Sequence, residues 1–157
     1  MIHAVWAFVG RVIYYVLGFV ALPILLNGSR RVKVGIIDPS SGRILLAKSW
    51  IGPQQWNLVG GGIKRIEDKF VAATREIKEE TGLDIDADKL TYIGQIEESE
   101  YMSKFTSHVF ITEVSEQPVH RQPIEILELG WFDLTELPRP INMQTINALE
   151  IKSAKQG

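Results

Sequence analysis

The chain has 157 residues, of which 17 are basic and 19 acidic, and its formal net charge is −2. This length favours one domain with its own hydrophobic core, and the near balance of charge argues against an overall basic surface that would bind nucleic acid. Cysteine is absent, which excludes disulfides, zinc-thiolate sites and thiol nucleophiles. We therefore expect a cytoplasmic protein with no nucleic-acid partner.

The first 26 residues differ in composition from the rest of the chain. Only His3 and Arg11 among them have side chains that can be charged, and the apolar run is long enough for a membrane-spanning helix, which needs about 20 residues. Basic residues follow the run closely, which favours the cytoplasmic side of a membrane for the chain beyond it. We expect residues 1–28 to form a hydrophobic N-terminal helix and residues 29–157 to form a separate domain.

Three placements of this N-terminal helix stay open. It can span a bilayer and hold the domain at the cytoplasmic face, or it can lie on the bilayer surface. It can also pack against the domain or in a homodimer contact, which needs no lipid. A less apolar stripe favours lying on a surface, because its members recur at spacings of three and four: His3, Ala7, Arg11, Tyr14 and Gly18. Length and flanking charge favour membrane contact through residues 1–26.

The next segment predicts a β-hairpin followed by a helix. Residues 31–38, RVKVGIID, alternate in polarity and are followed by the turn sequence DPSSG. Residues 43–48, RILLAK, then form the second strand of the predicted hairpin. Residues 69–80, KFVAATREIKEE, change to a spacing of three and four, which predicts a helix with Gly82 as its left-handed C-cap. The predicted buried face of this helix contains Phe70, Val71, Ala73, Thr74 and Ile77.

Three further strands and a closing helix complete the predicted domain. The strands are LTYIGQIEE at 90–98, TSHVFITEVS at 106–115 and ELGWFDL at 128–134, and MQTINALEIKSA at 143–154 is an amphipathic helix. The acidic run DIDADKL before the first of these strands lacks the glycine of a calcium loop, and we interpret it as a solvated connection. The predicted fold class is α+β with a mixed β-sheet.

Three glutamates stand close together on the first predicted helix. Glu76, Glu79 and Glu80 lie at i, i+3 and i+4, where like charges repel. A hard divalent cation resolves this repulsion, because carboxylate and carbonyl oxygens suit Mg²⁺ or Mn²⁺. The glycines at 60–62 let the backbone approach a ligand closely. Each feature alone also fits an ordinary solvated helix face or a simple turn.

The spacing of these residues carries more information than their composition. Gly61 to Leu83 fill the pattern G-x₅-E-x₇-R-E-U-x-E-E-x-G-U, in which U is aliphatic. This pattern resembles the box of the Nudix hydrolase family, of the MutT-like kind. The resemblance implies an α/β/α sandwich over about residues 31–152 and Mg²⁺- or Mn²⁺-dependent hydrolysis of a nucleoside diphosphate linked to another moiety. Val59 departs from the family, where proline often precedes the glycines.

The resemblance also implies roles for individual residues. It assigns metal binding to three glutamates and one glycine carbonyl, namely Glu76, Glu79, Glu80 and Gly60. Arg75 matches the arginine that positions these glutamates, and Glu67 matches an acid that supports the site. One of the glutamates would also orient or deprotonate the attacking water. The expected substrates are small nucleotide diphosphate derivatives, such as a nucleotide or a nucleotide sugar.

The family commonly uses one more acid, from a loop that leads into a late strand. Glu125 and Glu128 precede Trp131, and Glu125 is the preferred candidate by its distance from the tryptophan. Both could instead be ordinary surface acids, since loops are normally polar. Two alternatives to hydrolysis stay open, namely a non-catalytic module that binds a nucleotide or ADP-ribose-like ligand and a scaffold whose main function lies in the N-terminal segment. The complete glutamate set favours hydrolysis.

Overall fold

The computed structural model describes residues 9–10, 12–13, 28–49, 54–100, 103–120 and 126–156. The prediction for residues 1–28 therefore falls almost wholly outside the described residues. Within the N-terminal segment, Val9, Gly10, Val12 and Ile13 are described, and all four are helical. In the ranges given above, no helix is both long and apolar enough to cross a membrane. The helical extent of the segment, its membrane contact and its dimer contact stay predictions.

In the described part of the domain, six strands form a sheet and two helices pack around it. The strands are β1 (Arg30–Asp38), β2 (Arg43–Ser49), β3 (Trp56–Asn57), β4 (Thr91–Glu100), β5 (Ser103–Glu113) and β6 (Ile126–Asp133). The helices are α1 (Lys69–Thr81) and α2 (Met143–Gln156), and a short 3₁₀ turn covers Ala87–Lys89. The predicted α+β class is confirmed. The additional strand, β3, is only two residues long, too short for an alternation of polarity to reveal it.

The sheet is mixed, and its topology leaves room for a loop beside β1. The strand order is β3-β2-β1-β5-β4, and β6 also pairs with β2. Strand β1 pairs in parallel with β5 and antiparallel with β2, but the β2 pairing covers only the last three residues of β1. Along the first part of β1, Val34 instead bridges to Val59, and Arg31 bridges to Gly62. The glycine loop at 59–62 is thus held against β1 by backbone pairing.

The core lies in two layers, one on each face of the sheet. One layer packs α1 against β1 and β5 through Ala72, Ala73, Ile77, Val34 and Phe110. The other packs α2 against the opposite face through Ala148, Val109, Ile111, Ile37 and Ile44. This arrangement is the sandwich that the resemblance implies.

One predicted core residue of α1 is placed wrongly by the sequence pattern. Val71 is 55% exposed, whereas Ala72 is completely buried. The stripe that faces the protein runs through positions 72, 73, 76, 77, 80 and 81, so it includes two glutamates and is rotated away from Val71. Because a hydrophobic pattern counts only apolar residues, it could not detect that Glu76 and Glu80 belong to the buried side.

Candidate active site

Both ends of α1 are capped, which fixes the direction in which its side chains point. The Asp68 carboxylate accepts a hydrogen bond from the Phe70 N–H at 2.7 Å at the start of the helix. At the other end Gly82 adopts φ +76°, and its N–H donates to the Lys78 carbonyl. The predicted glycine C-cap is therefore confirmed. With its start and end defined, the helix presents Glu76 and Glu80 to the glycine loop.

The glycine loop is packed tightly at two positions, of which Gly60 excludes a side chain and Gly61 has a carboxylate against it. Gly60 has φ +144°, and a Cβ there would overlap the Val32 carbonyl oxygen. A Cβ on Gly61 would lie 2.7 Å from Oε2 of Glu76. Gly62, in contrast, faces open space. The loop backbone and the Glu76 carboxylate therefore lie in direct contact, as a site shared by backbone and carboxylate requires.

Arg75 joins the helix, the glycine loop and the turn between them through five hydrogen bonds. Its Nε and Nη2 donate to the two oxygens of Glu67 at 2.7 and 2.9 Å. Nη1 donates to Oε1 of Glu76 at 2.7 Å and to Oε2 of Glu79 at 2.8 Å. Nη2 also reaches the Gly62 carbonyl at 2.9 Å. The planar guanidinium makes this two-sided geometry possible, which lysine could not reproduce.

Glu80 contacts the glycine loop from the other side. It is 8% exposed, and its Oε2 accepts a hydrogen bond from the Gly60 N–H at 2.9 Å. The carbonyls of Val59, Gly61 and Gly62 accept hydrogen bonds from Val34, Val32 and Arg75. Among the described residues, no hydrogen bond reaches the Gly60 carbonyl. That oxygen is therefore available to a ligand beside the Glu80 carboxylate.

The Glu67–Arg75 pair is strongly stabilised in its charged form. The hydrogen bonds from Arg75 are the main cause that lowers the pKa of Glu67 from 4.5 to about 2, although burial opposes them. The Lys64 N–H, which donates to Oε2 of Glu67 at 2.9 Å, lowers this pKa further. The same hydrogen bonds raise the pKa of Arg75. The pair thus stays ionised over the whole physiological pH range and holds the site in one geometry.

The donor set fits a hard divalent cation chemically. Glu76, Glu79 and Glu80 offer carboxylate oxygens, and Gly60 offers a carbonyl oxygen, which are the donors that Mg²⁺ and Mn²⁺ prefer. In the described part of the chain, no three acidic or histidine side chains already form a group that could enclose a metal ion. Arg75 bonds to Glu76 and Glu79 together, so a bound cation would share these two carboxylates with the guanidinium.

Of the two candidates for the additional acid, only Glu128 lies within the described residues. Glu125 lies outside the described residues, so its role stays a prediction. Glu128 lies on β6, where its 51% exposed side chain accepts a hydrogen bond from Nζ of Lys48 at 3.2 Å. The two residues are cross-strand partners between β2 and β6, and Lys48 also lies over the ring of Trp56 at 4.5 Å. Glu128 therefore has a strand-pairing contact of its own.

Sequence reasoning missed one buried acid. Glu98 on β4 is only 5% exposed, and its cross-strand partner on β5, Phe105, is 2% exposed. The signal lay in the consecutive pair Glu97–Glu98, because alternation along a strand forces one member of such a pair to face inward. The sequence was interpreted there only as a strand end.

Comparison with known proteins identifies the family of this chain. The model of the NUDIX domain family matches residues 29–150, and the chain belongs to that family, as the motif predicted. Nudix hydrolase 10 of Arabidopsis thaliana is 30% identical over 107 residues, which are 68% of this chain and 39% of that protein. The chain thus spans about two fifths of the length of this curated relative.

Solved structures show the same fold. The MutT NUDIX hydrolase from Burkholderia pseudomallei has a TM-score of 0.66 and 29% sequence identity, over 77% of this chain and 96% of that one. The NUDIX domain of Shewanella oneidensis NrtR, complexed with ADP ribose, has a TM-score of 0.72 and 14% identity, over 83% of this chain and 89% of that one. At that lower identity the similarity establishes the fold alone.

Proposed function

We propose that this chain is a divalent-metal-dependent hydrolase that cleaves the diphosphate of a nucleoside diphosphate linked to another moiety. The observation that carries this proposal is the Arg75 contact set, which holds Glu67, Glu76, Glu79 and the Gly62 carbonyl at 2.7 to 2.9 Å. Such a fixed arrangement of carboxylates beside an open loop carbonyl supports a preorganised site for a cation and a polyphosphate.

The proposed ligands of Mg²⁺ or Mn²⁺ are the side chains of Glu76, Glu79 and Glu80 and the carbonyl of Gly60. The ion would neutralise charge on the diphosphate oxygens and acidify a bound water. Arg75 is the proposed positioning residue, because it fixes Glu76 and Glu79 without being a cation ligand. Among the three glutamates, Glu79 has a side chain that is 45% exposed, so solvent water can approach it.

Glu125 is the proposed additional acid. Before it in the sequence, the His120 N–H donates to the Thr81 carbonyl at the end of α1 at 2.9 Å. The residue after it, Ile126, is 3% exposed and packs in the same core layer as α1. The described residues nearest to Glu125 in the sequence, His120 and Ile126, thus contact the end of α1 and its core layer, and this supports its assignment.

The proposed substrates are small nucleotide diphosphate derivatives, including nucleotide sugars. The complex of the NrtR NUDIX domain with ADP ribose supports a ligand of this chemical class. It also motivates a second candidate function, in which the chain binds such a ligand without cleaving it. The two functions differ in one observable, which is whether product forms when ligand and metal are both present.

The experiment is a turnover assay of the full chain against a panel of nucleoside diphosphate derivatives with Mg²⁺, with Mn²⁺ and with a chelator. We expect metal-dependent release of a nucleoside monophosphate from at least one substrate, and loss of that activity in the Glu79→Gln variant. Glu136→Gln, which removes charge from an exposed turn, is the matched control and should keep activity. Tight ligand binding without product in any condition would favour the binding module.

We also propose that the N-terminal segment brings the domain to the cytoplasmic face of a membrane. The support is the length of its apolar run and the basic residues Arg30, Arg31 and Lys33 that follow. Fractionation of cells that express the full chain tests this, and we expect membrane-bound protein that detergent releases. Full-length protein that runs as a compact monomer or homodimer without detergent contradicts membrane contact.

A further inference from the structure

The turn between the glycine loop and α1 exposes an isoleucine next to two basic residues. Ile66 is 96% exposed, more than any other large apolar side chain in the described part of the chain. Lys64 and Arg65 before it are exposed as well. We call the four residues Lys64, Arg65, Ile66 and Glu67 the basic turn. A single exposed isoleucine is common on protein surfaces, so its surroundings decide whether it has a function.

Hydrogen bonds between its first and last residues close the basic turn. The Glu67 N–H donates to the Lys64 carbonyl at 3.0 Å, and the Lys64 N–H donates to Oε2 of Glu67 at 2.9 Å. The Glu67 carboxylate is in turn bonded to Arg75 at 2.7 Å. Arg65 and Ile66 are therefore the two central residues of a closed turn. The fold holds the isoleucine side chain in solvent at the tip of this turn.

The acids near the basic turn are engaged within the protein, whereas its bases are not. Glu67 is bonded to Arg75, and the Asp68 carboxylate caps the start of α1. In the described ranges, no salt bridge joins Lys64 or Arg65 to an acid. The turn therefore presents two positive charges beside an apolar side chain. That combination suits the interface of an anionic bilayer.

Backbone pairing places the basic turn at the end of the domain where the N-terminal segment joins it. The glycine loop runs antiparallel to β1, and the Ile63 N–H donates to the Arg30 carbonyl at 2.9 Å. Residues after Ile63 therefore continue in the direction of Gly28, away from the rest of β1. Ile66 is three residues beyond this pairing and so lies within about 10 Å of it. The basic turn and the start of β1 thus share one end of the domain.

The same end of the domain carries further basic residues and continues into the apolar N-terminal segment. Arg30 and Lys104 are exposed there, and the Gly28 N–H donates to the Lys104 carbonyl at 2.7 Å. Residues 1–26 contain only two side chains that can be charged. Ile13, one of the described residues of that segment, is 49% exposed. A bilayer that holds this segment would therefore meet the basic side chains at this end of the domain.

We propose that the basic turn docks the domain on an anionic lipid surface, with Ile66 inserted between the head groups and Lys64 and Arg65 bound to their negative charges. The proposal rests on the proposed membrane contact of the N-terminal segment and adds the face of the domain that meets the lipid. The basic side chains reach the head groups while their apolar stems lie beside Ile66 in the interface. Because Glu67 is bonded to Arg75, docking places the proposed catalytic site close to the membrane surface.

The test uses a cysteine-reactive fluorophore whose emission reports the polarity around it. The chain has no cysteine, so Ile66→Cys in the full chain is labelled at one position only. Met143→Cys is the matched control, because Met143 is 65% exposed and begins α2, which packs on the opposite face of the sheet from α1. Both side chains are exposed, so we expect both variants to keep the melting temperature of the wild type.

The labelled chains are reconstituted into vesicles of phosphatidylcholine alone or with about 30% phosphatidylserine. With phosphatidylserine, we expect the label at position 66 to shift its emission to the blue and to brighten severalfold. In phosphatidylcholine alone it should keep the emission of a label in water. The label at position 143 should remain in water in both kinds of vesicle.

Two pairs of charge-removing variants test the electrostatic part of the proposal. In the chain labelled through Ile66→Cys, Lys64→Gln with Arg65→Gln should lower the ratio of docked to undocked chains about tenfold or more. The control pair, Lys78→Gln with Lys89→Gln, removes the same charge at positions that already have acidic partners and should keep docking. Salt at about 1 M, where the Debye length is about 3 Å, should return the label to water. Equal losses from both pairs would overturn the proposal.

Flotation of the same labelled chains separates docking of the domain from membrane contact of the N-terminal segment. Chains that float with the vesicles while the label at position 66 stays in water would refute docking alone. Chains that float with neither kind of vesicle would refute both. A blue-shifted label at position 66 in detergent micelles, rising with protein concentration, would show that a second copy of the chain covers the turn and would overturn the lipid assignment. These measurements need neither metal nor hydrolysis, so they leave the proposed catalysis to its own assay.

Discussion

Two regions of this molecule bury glutamates in opposite ways. Beside the glycine loop, Glu67 and Glu76 have side chains that are 10% and 9% exposed, and both are bound to Arg75 at 2.7 Å. On the far face of the sheet, Glu98 is 5% exposed and its Oε1 has no partner in the described part of the chain. Residue type and burial are therefore similar, and the difference lies in whether the described residues supply a partner for the carboxylate.

The difference in hydrogen bonding affects how firmly each region holds its carboxylates. A carboxylate that is already held by a planar guanidinium keeps its position before any ligand arrives, which lowers the reorganisation needed for catalysis. Oε1 of Glu98 has no partner among the described residues, so no described contact fixes its position or offsets the cost of its burial. The fixed geometry beside the glycine loop therefore supports the proposed reaction.

The largest expected effect comes from removing charge from the glutamates beside the glycine loop. Replacing Glu79 or Glu80 by glutamine keeps shape and most hydrogen bonding but removes a charge from the proposed cation site. We expect turnover to fall by at least about 100-fold while the fold survives. Steady-state kinetics with circular dichroism as a folding control measure this. Near-normal turnover in either variant contradicts the site assignment.

A second change separates two glycines of the same loop. In Gly60→Ala the new Cβ would overlap the Val32 carbonyl at φ +144°, and we expect destabilisation of at least about 2 kcal/mol. For a chain of this size that corresponds to a fall in Tm of about 4–8 °C. Gly62→Ala meets open space and is the control with little change. A thermal melt in which both variants behave alike would show that the loop is less tightly packed than described.

A third pair of variants tests which residue is the additional acid of the proposed site. Glu125→Gln should lower turnover about tenfold or more at saturating Mg²⁺. Glu128→Gln should have a much smaller effect, because its described contact is with Lys48 on an exposed strand surface. The reverse order of effects would assign the additional acid to Glu128. Two equally small effects would mean that neither residue belongs to the site.

The smallest expected effect is a change in the pH dependence of stability. Because Arg75 lowers the pKa of Glu67 from 4.5 to about 2, the folded protein binds fewer protons at this residue than the unfolded chain does. The stabilisation is therefore fully present above about pH 4.5 and is lost as the pH falls towards 2. Urea titrations between pH 6 and 2 should show a shallower loss of stability in Glu67→Gln than in the wild type. Parallel curves would contradict the pairing.

The sequence predicted the glutamate site beside the glycine loop well, because the residues that form it lie close together in the sequence. Both the spacing of the glutamates on one helix and the position of Gly82 after that helix depend on the periodicity of α1, which the structure confirms. Val71 was misplaced because the buried stripe of α1 includes Glu76 and Glu80, and a hydrophobic pattern assigns charged residues to the outside. The reason that these acids are buried is a contact with the glycine loop, which only the tertiary structure reveals.

The surroundings of Glu98 could not be predicted, because they are formed by residues that lie far apart in the sequence. Ser29, Arg31, Glu98 and Ser107 come together only through the pairing of β1 with β5 and of β5 with β4. A single sequence specifies which residues alternate along a strand but not which strands become neighbours. The consecutive pair Glu97–Glu98 indicated that one of the two acids faces inward. Only the register of the paired strands identified the residues around it.

The central claim is that carboxylates held by Arg75 form a divalent-cation site, and Mn²⁺ binding followed by electron paramagnetic resonance tests it most directly. We expect the full chain to bind Mn²⁺ saturably. Glu79→Gln should weaken that binding at least about tenfold. Glu98→Gln, which changes a glutamate on the far face of the sheet, should leave it unchanged. An absence of saturable binding in the wild-type chain, or equal binding by all three proteins, would contradict the account.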